Sequence, residues 1–403
     1  MADVQQEKGS FMHLSRRSFL TGTAAAAAFS LIGLPKKSAG AETPLQILTG
    51  PVTPMGSSAY DKLQVTQAGV YAPGGSRGFP QFSTIYDSNY YDLALALYLL
   101  SYRIPGDTTW LKGARTVAER WASDPYSLAS TSGAPPRTYS TLGLAVYYLD
   151  TGSTKAKAVV NSQAAHAARY FGVYDGGSKD MRESAYALMA MIASTIIGGD
   201  DHSADALKSL NGLLAGQMSD GRWQNHDNCA VYKNCTPMVP AGYYTLNYMM
   251  GLVLEALIMY DRAFGDSRIV PALKAGTNWL WSTQWVPVVP GSSPTFGAFQ
   301  YGDINSGSVN TEPSANLSGL IVPAWGYLYA RTQNSTYATQ GQTILNGMVA
   351  GNGQLGISGA GIYNVKQFNQ EFRSSPRYVG FVAAPSTAPS TTTLQAPTGL
   401  TVK

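Results

Sequence analysis

Between Tyr86 and Gly351 the chain repeats one unit: a strongly apolar helix, a short polar turn, an amphipathic helix and a longer loop. This repeat constrains the fold most, because each unit can bury its apolar face only against its neighbours. Turn residues such as Pro105-Gly106 separate the two helices of a unit. Five hairpins are predicted, with first helices near 88–103, 138–150, 182–198, 243–264 and 314–331, and partners near 107–122, 155–171, 203–217, 268–283 and 336–350.

The two helices of a unit differ in polarity. The run from Ala185 to Ala193 is apolar on all sides, so this first helix should be enclosed. Its partner, from Ala204 to Leu214, carries a single apolar stripe. An inner and an outer ring follow, so we predict an all-α fold: an (α/α) toroid of five to six hairpins, which irregular segments at 42–83 and 353–384 could close.

The long connections run from an outer helix to the next inner one, so they lie on one face, over the N-termini of the inner helices. Function tends to lie on such loops, and helix N-termini favour anionic groups. The chain holds 25 tyrosines and seven tryptophans, whose flat rings with a polar edge suit sugars. We therefore predict a polysaccharide groove, with substrate-binding residues Tyr86, Tyr90, Arg137, Trp223 and Tyr301, joined by Arg377 and Tyr378 if the C-terminal stretch folds back over this face. The alternative for that stretch is a strand-like closure of the toroid.

Residue types that can take part in catalysis are concentrated in one of these loops, Ser219 to Cys235. His226, one of only four histidines, lies between Asn225 and Asp227, and the only two cysteines, Cys229 and Cys235, follow it. Two cysteines in an exported chain are expected to pair. We interpret the stretch as an active-site loop braced by a disulfide; the alternative is an ordinary surface loop with the same bond.

The segment Asp220-Gly221-Arg222-Trp223-Gln224-Asn225-His226 resembles the D-G-S-F-x-Q-H signature of the hyaluronate, chondroitin and xanthan lyases, whose catalytic half is an incomplete (α/α) toroid. The resemblance implies that His226 is the catalytic histidine. Cys235 stands at the position of the family's tyrosine, so Tyr232, Tyr243 or Tyr244 would have to replace it. Met181-Arg182 stands where the family has an Asn-Arg pair.

Elimination at a uronic acid needs a group that neutralises the carboxylate, a base for the C5 proton and an acid for the leaving oxygen. Asn225 and Arg182 could neutralise, His226 could act as the base, and Tyr243 or Tyr244 could donate the proton. The first hypothesis is therefore a secreted polysaccharide lyase that acts by β-elimination.

Two other functions stay open. An inverting glycoside hydrolase needs two carboxylates roughly 6.5–9.5 Å apart; the acidic candidates are Asp87, Asp92, Asp227, Asp303 and Glu312. A non-catalytic glycan-binding envelope protein would use the same aromatic groove. No cofactor is expected, and no metal-ligand spacing is found in the sequence.

The first 41 residues resemble a twin-arginine export signal, with Arg16-Arg17, a short apolar core and an Ala-rich end. They hold five of the 28 basic and two of the 24 acidic residues, which leaves 23 and 22 in the mature chain. This balance gives no reason to propose nucleic acid as a partner. We expect a monomer in the periplasm or outside the cell, with no membrane association after cleavage.

The composition changes after the predicted toroid domain, which spans 42–384. Residues 385–396 form a Ser/Thr/Pro linker without material for a core. Residues 397–403 resemble the opening strand of a fibronectin type III module.

Overall fold

The computed structural model describes residues 42–73, 91–124, 136–172, 174, 180–226, 243–303, 311–351 and 367–384. All belong to the unit Ala39–Lys403. Its helices, in chain order, are α1 (Pro44–Thr49), α2 (Ala59–Ala68), α3 (Leu93–Arg103), α4 (Thr108–Ala122), α5 (Thr141–Thr151), α6 (Thr154–Tyr170), α7 (Met181–Ile196), α8 (Ser203–Ala215), α9 (Asn247–Phe264), α10 (Ile269–Trp279), α11 (Ser318–Ile321), α12 (Pro323–Thr332), α13 (Ser335–Gly351), α14 (Gln367–Phe372) and α15 (Ser375–Ala383). Its strands are β1 (Asn225–His226), β2 (Tyr243–Tyr244), β3 (Trp285–Val286) and β4 (Ala298–Phe299), paired antiparallel as β1–β2 and β3–β4.

The inner ring consists of α3, α5, α7, α9, the pair α11–α12 and the pair α14–α15. Each contacts the next, and α14 contacts α3, so the ring is closed. Helices α4, α6, α8, α10 and α13 are the outer partners, and α2 packs against α13 and α14 as a sixth outer helix. The predicted (α/α) toroid is confirmed, with six inner positions.

Burial separates the two rings as their polarity predicts. Every side chain from Leu93 to Leu100 in α3 is buried. The outer helix α4 instead buries one stripe, which includes Trp110, Ala114, Val117 and Trp121. None of the helices within the described ranges is long and apolar enough to cross a membrane.

Three inner helices differ in their bounds from the sequence-based expectation. Helix α3 begins at Leu93 because Asp92 is its N-cap. Helix α9 begins at Asn247, since Tyr243–Tyr244 pair with β1. The fifth inner position is divided between α11 and α12, and Pro323 begins the second part, as expected for a residue without a backbone N–H.

The C-terminal closure is helical, so the predicted strand-like closure around Phe372–Tyr378 is wrong. Helices α14 and α15 form the sixth inner position, and their polar side chains are buried. The sequence is misleading here because Arg373, Ser374 and Arg377 find a partner in Glu255 of α9, across the ring.

Candidate functional site

A charged cluster lies at the start of the third inner helix, α7. Asp180 is the N-cap, and its Oδ1 accepts a hydrogen bond from the Arg182 backbone N–H at 2.8 Å. The Arg182 guanidinium lies 3.2 Å from Asp180 Oδ2 and 3.3 Å from Glu183 Oε1. One arginine therefore links two carboxylates at the start of one helix.

A second cation reaches this cluster from the neighbouring hairpin. Arg137 lies in a 3-10 turn, Pro136–Thr138, just before α5. Its backbone N–H donates to Glu183 Oε2 at 2.9 Å, and its Nη1 donates to Glu183 Oε1 at 2.6 Å. The side chain of Arg137 is 33% exposed, against 13% for Arg182. Arg137 thus presents a positive charge to solvent beside Asp180 and Glu183.

Asp180 combines access to solvent with a perturbed acidity. Its side chain keeps 26% of its surface exposed. Burial raises the pKa of this carboxyl, Arg182 opposes the rise, and Glu183 adds to it. A carboxyl that holds its proton to higher pH and can still be reached is suited to donate that proton to a substrate.

The loop that precedes the fourth inner helix is anchored to the same cluster. Asn225 is buried; its Oδ1 accepts from the Met181 backbone N–H at 2.8 Å, and its Nδ2 lies 3.0 Å from Met249 Sδ. In the β1–β2 ladder, Asn225 pairs with Tyr244 and the backbone of His226 pairs with Tyr243. Because Met181 lies between Asp180 and Arg182, this loop is held next to both.

The predicted tyrosines therefore lie in the strand beside His226. Tyr243 is 46% exposed and Tyr244 is 7% exposed. The ring of Tyr301 lies 5.5 Å from that of Tyr248, in the first turn of α9. The structure thus brings Arg137, Arg182 and Asn225 together at one end of the toroid. Tyr243 and Tyr244 lie in the strand that leads into α9, and Tyr301 packs against the first turn of that helix.

A second carboxyl lies at the start of the first inner helix. Asp92 is buried and accepts from the backbone N–H groups of Leu95, at 3.2 Å, and of Gly143 in α5, at 2.8 Å. Burial raises its pKa, while the Gly143 hydrogen bond and the charge of Arg373 oppose the rise. Asp92 and Tyr91 both have positive φ, 61° and 67°. Such strain in consecutive non-glycine residues is typical of functional sites.

Gly143 provides the space that Asp92 occupies. A Cβ at this position would lie 2.3 Å from Asp92 Oδ1 and 2.8 Å from the Leu95 nitrogen. We expect Gly143→Ala to lower the free energy of unfolding by about 1–3 kcal/mol through overpacking, although alanine favours helix formation elsewhere. Denaturant unfolding measures this change.

The control for that variant is Gly56→Ala. Its Cβ would meet Asp61 Oδ2 at an ordinary 3.4 Å. Gly56→Ala is therefore expected to be neutral or slightly stabilising, because it restricts the unfolded chain. Equal stability of Gly143→Ala and the wild type would contradict this account of the Asp92 position.

Three residues that were predicted to bind substrate are instead buried inside the toroid. Trp223 is fully buried and its indole N–H donates to the Leu213 carbonyl at 2.7 Å. Arg377 and Tyr378 are buried in α15, where Arg377 pairs with Glu255 and the Tyr378 hydroxyl donates to the Ala338 carbonyl at 2.8 Å. All three side chains are buried and have their partners inside the protein, which corrects the expectation that they face a substrate.

Asp303 is held at the loop-bearing end, where its backbone N–H donates to the carbonyl of Thr245, just before α9, at 2.9 Å. It is 3% exposed and its Oδ2 lies 2.5 Å from Arg222 Nη1. The Arg222 guanidinium lies over the ring of Trp279, in the outer helix α10. Glu312 follows the same connection, where its carbonyl accepts from the Tyr301 backbone N–H at 2.9 Å. The side chain of His226 lies outside what the structure describes, as do the predicted residues Tyr86, Asp87, Tyr90, Asp227, Cys229, Tyr232 and Cys235.

Asp180 and Glu183 were not among the residues predicted from sequence. The available signal is the segment Asp180-Met181-Arg182-Glu183, which places three charged residues where an otherwise apolar inner helix begins. A capping role explains an acidic residue there equally well. Among the described residues, no group of three or more histidine, cysteine or acidic side chains is placed to hold a metal ion.

Known proteins resemble this chain in structure. No protein-family model matches it, and no curated protein does so either. One similar structure is an unsaturated glucuronyl hydrolase specific for heparin, with a TM-score of 0.54, 12% identity, and coverage of 83% of this chain and 97% of that one. Another is the Lin0763 protein from Listeria innocua, with a TM-score of 0.49, 12% identity and coverage of 81% and 96%. At this identity the first likeness establishes the shared toroid fold.

Proposed function

We propose that this protein is a carbohydrate-active enzyme that hydrolyses a uronic-acid-containing glycan at the α7 end of the toroid. The observation that carries the proposal is Asp180, a carboxyl that is 26% exposed and whose pKa is raised by burial and by Glu183 against the opposing charge of Arg182. The hydrolase specific for heparin, whose fold this chain shares, acts on a glucuronyl group, which supports the same substrate class. This preference reverses the order of the two enzyme hypotheses drawn from the sequence.

The reaction needs one proton donor and one base. Asp180 gives its proton to the glycosidic oxygen as the bond to the anomeric carbon breaks. A water oxygen bonds to that carbon, and a carboxylate base takes the water proton. The described residue proposed for this role is Asp92, the N-cap of α3, whose carboxylate is buried in the free protein. The Arg182 guanidinium lies beside Asp180 and that of Arg137 beside Glu183, and both would attract the uronate carboxylate.

The lyase remains the second candidate, and one observation favours it. The backbone of His226 pairs with Tyr243, whose side chain is half exposed. A histidine base and a tyrosine acid from adjacent strands would serve β-elimination, with Arg182 beside the uronate. We also propose, as the sequence indicates, that the enzyme is exported by the twin-arginine route and acts as a monomer.

Ultraviolet absorbance together with a reducing-end assay separates these functions. The panel contains intact uronic-acid polymers, neutral polymers and short glycans that end in an unsaturated uronate. Hydrolysis of a saturated glycan yields reducing ends without a new absorbance, and hydrolysis of an unsaturated uronide removes absorbance. A gain of absorbance on intact acidic polymers would replace the hydrolase by the lyase. If neither assay detects a product from any glycan of the panel, only the glycan-binding alternative remains.

A further inference from the structure

A column of aromatic rings leads from the core of the toroid to its surface. The rings of Trp281 and Trp285 stack 5.2 Å apart at 14°. Trp285 meets Phe299 edge-on at 5.0 Å, and Phe299 lies 5.8 Å from Trp325. Trp325 and Phe299 are buried, whereas Trp281 and Trp285 are only partly buried. Trp281 is therefore the outermost ring of a column that is fixed at its inner end.

Local backbone geometry builds this column. Helix α10 ends in a π-helical turn, Leu280–Gln284, which carries Trp281 and leads into Trp285 at the start of β3. Single π-helical turns of this kind are frequent at functional sites. A Cβ at Gly297 would lie 2.4 Å from the Trp285 ring, and one at Gly347 would lie 3.3 Å from it. Two glycines thus make room for the indole on which Trp281 stacks.

The chain segment that carries these rings has no charged residue. The stretch 275–302 contains no Asp, Glu, Lys, Arg or His, yet it holds three of the seven tryptophans. Ser282, Thr283 and Pro287 are exposed around the rings, and Val288 is 56% exposed. A flat aromatic face with hydroxyl neighbours and no acidic group matches a sugar ring, which presents apolar C–H groups and a hydroxyl rim.

We propose that Trp281 and Trp285, called here the tryptophan platform, form a second glycan-binding site that stacks a pyranose ring of a polysaccharide. The platform extends the outer helix α10, whereas the Asp180 cluster begins the inner helix α7. It would hold a polymer at the edge of the loop-bearing end, where Gln284 Oε1 accepts from Asn247 Nδ2 at the start of α9 at 2.9 Å, without taking part in the reaction. Its rigidity suits this role, because no ordering cost accompanies binding. The proposal shares only the ligand class, a glycan, with the proposed function.

Affinity electrophoresis of the full chain tests the platform, with hyaluronan, polygalacturonate or xylan in the native gel. We expect at least one of these polymers to retard the wild type. Trp281→Ala should weaken that binding roughly 3- to 10-fold, and Trp281→Phe should weaken it less. The control is Tyr170→Ala, which removes another exposed aromatic residue, 50% exposed at the end of α6, and should leave retardation unchanged. Turnover of short glycans should not change in any of these variants.

Near-ultraviolet circular dichroism provides a readout of the stack itself. The coupled signal of the two indoles should disappear in Trp281→Phe while the far-ultraviolet spectrum is preserved. Retardation of Trp281→Ala equal to that of the wild type, or no retardation by any of the three polymers, would overturn the proposal. Asp180→Asn keeps the two proposals distinguishable: Trp281-dependent retardation in that background supports the platform even where no glycan is hydrolysed.

Discussion

Asp180→Asn is expected to lower kcat for glycan hydrolysis by roughly 10²- to 10⁴-fold and to leave the fold intact. Asparagine removes the proton that the proposed mechanism transfers to the glycosidic oxygen. It is also a good N-cap, so it can still accept the Arg182 backbone N–H at the start of α7. The melting temperature should therefore stay close to that of the wild type while activity is lost.

The pH dependence gives a second readout of the same residue. The pKa of Asp180 is raised in the folded protein, so the carboxyl stays protonated to higher pH than an ordinary aspartate and then loses its proton. Wild-type activity should fall as the pH rises through that value, and this alkaline limb should be absent from the residual activity of Asp180→Asn. The raised pKa also means that the charged form is disfavoured by folding, so the neutral variant loses no stability above that pH.

The matched control is Asp205→Asn on the outer helix α8. Asp205 is 49% exposed and its Oδ2 lies 3.3 Å from His202 Nδ1, so its charge contributes little. Its kcat should be unchanged. Wild-type kcat in Asp180→Asn, measured with a substrate that the wild type hydrolyses, would exclude Asp180 as the acid.

The fold could be predicted because its main signal is local. The apolar run Ala185–Ala193 can only be enclosed, and the stripe in Ala204–Leu214 can only pack on one side. Because each hairpin repeats this difference between an apolar and an amphipathic helix, an inner and an outer ring can be predicted without any knowledge of tertiary contacts. The sixth inner position was predicted only as a possible closure by irregular segments at 42–83 and 353–384, because the polar residues of α14 and α15 are paired with residues far away in the chain, such as Glu255.

The candidate site was likewise predicted only in part. Loop positions and residue types predicted the loop-bearing end of the toroid as the site, with Arg137, Arg182 and Asn225 among its residues. Asp180, the proposed acid, was not predicted, since an aspartate before a helix is expected for capping alone. Trp223 shows the opposite error: residue type indicated a sugar platform, but its indole N–H is used by the Leu213 carbonyl in the core.

Glu255→Gln is expected to lower the free energy of unfolding by about 3–5 kcal/mol, because it leaves two arginines inside the ring without their counter-charge. Glu255 Oε2 lies 2.7 Å from Arg373 Nη1 and accepts from Ser374 Oγ at 2.9 Å, and Oε1 pairs with Arg377. All three charged side chains are buried. Arg377 also donates to the Leu48 carbonyl at 2.6 Å, so this pair connects α9 and α15 to the N-terminal helix α1.

The control for Glu255 is a carboxylate–arginine pair of similar length at the surface. Asp150 Oδ2 lies 2.7 Å from Arg115 Nε, and the Arg115 side chain is 45% exposed, so it stays hydrated when its partner is removed. Asp150→Asn should therefore cost less than about 1 kcal/mol. Denaturant unfolding at neutral pH compares the two variants, and equal losses would show that burial does not set the contribution of the inner pair.

The stability difference between the wild type and Glu255→Gln should itself depend on pH. Burial disfavours the charged carboxylate, but Arg373 and Arg377 outweigh it and hold the pKa of Glu255 below its ordinary value. A depressed carboxyl pKa contributes stability above the unfolded-state value, and this contribution is lost as the pH falls through the folded-state value. The gap between the two proteins should therefore narrow in acid, whereas a gap that stays constant down to the acid-unfolded state would mean that packing, and not charge, is what glutamine disturbs.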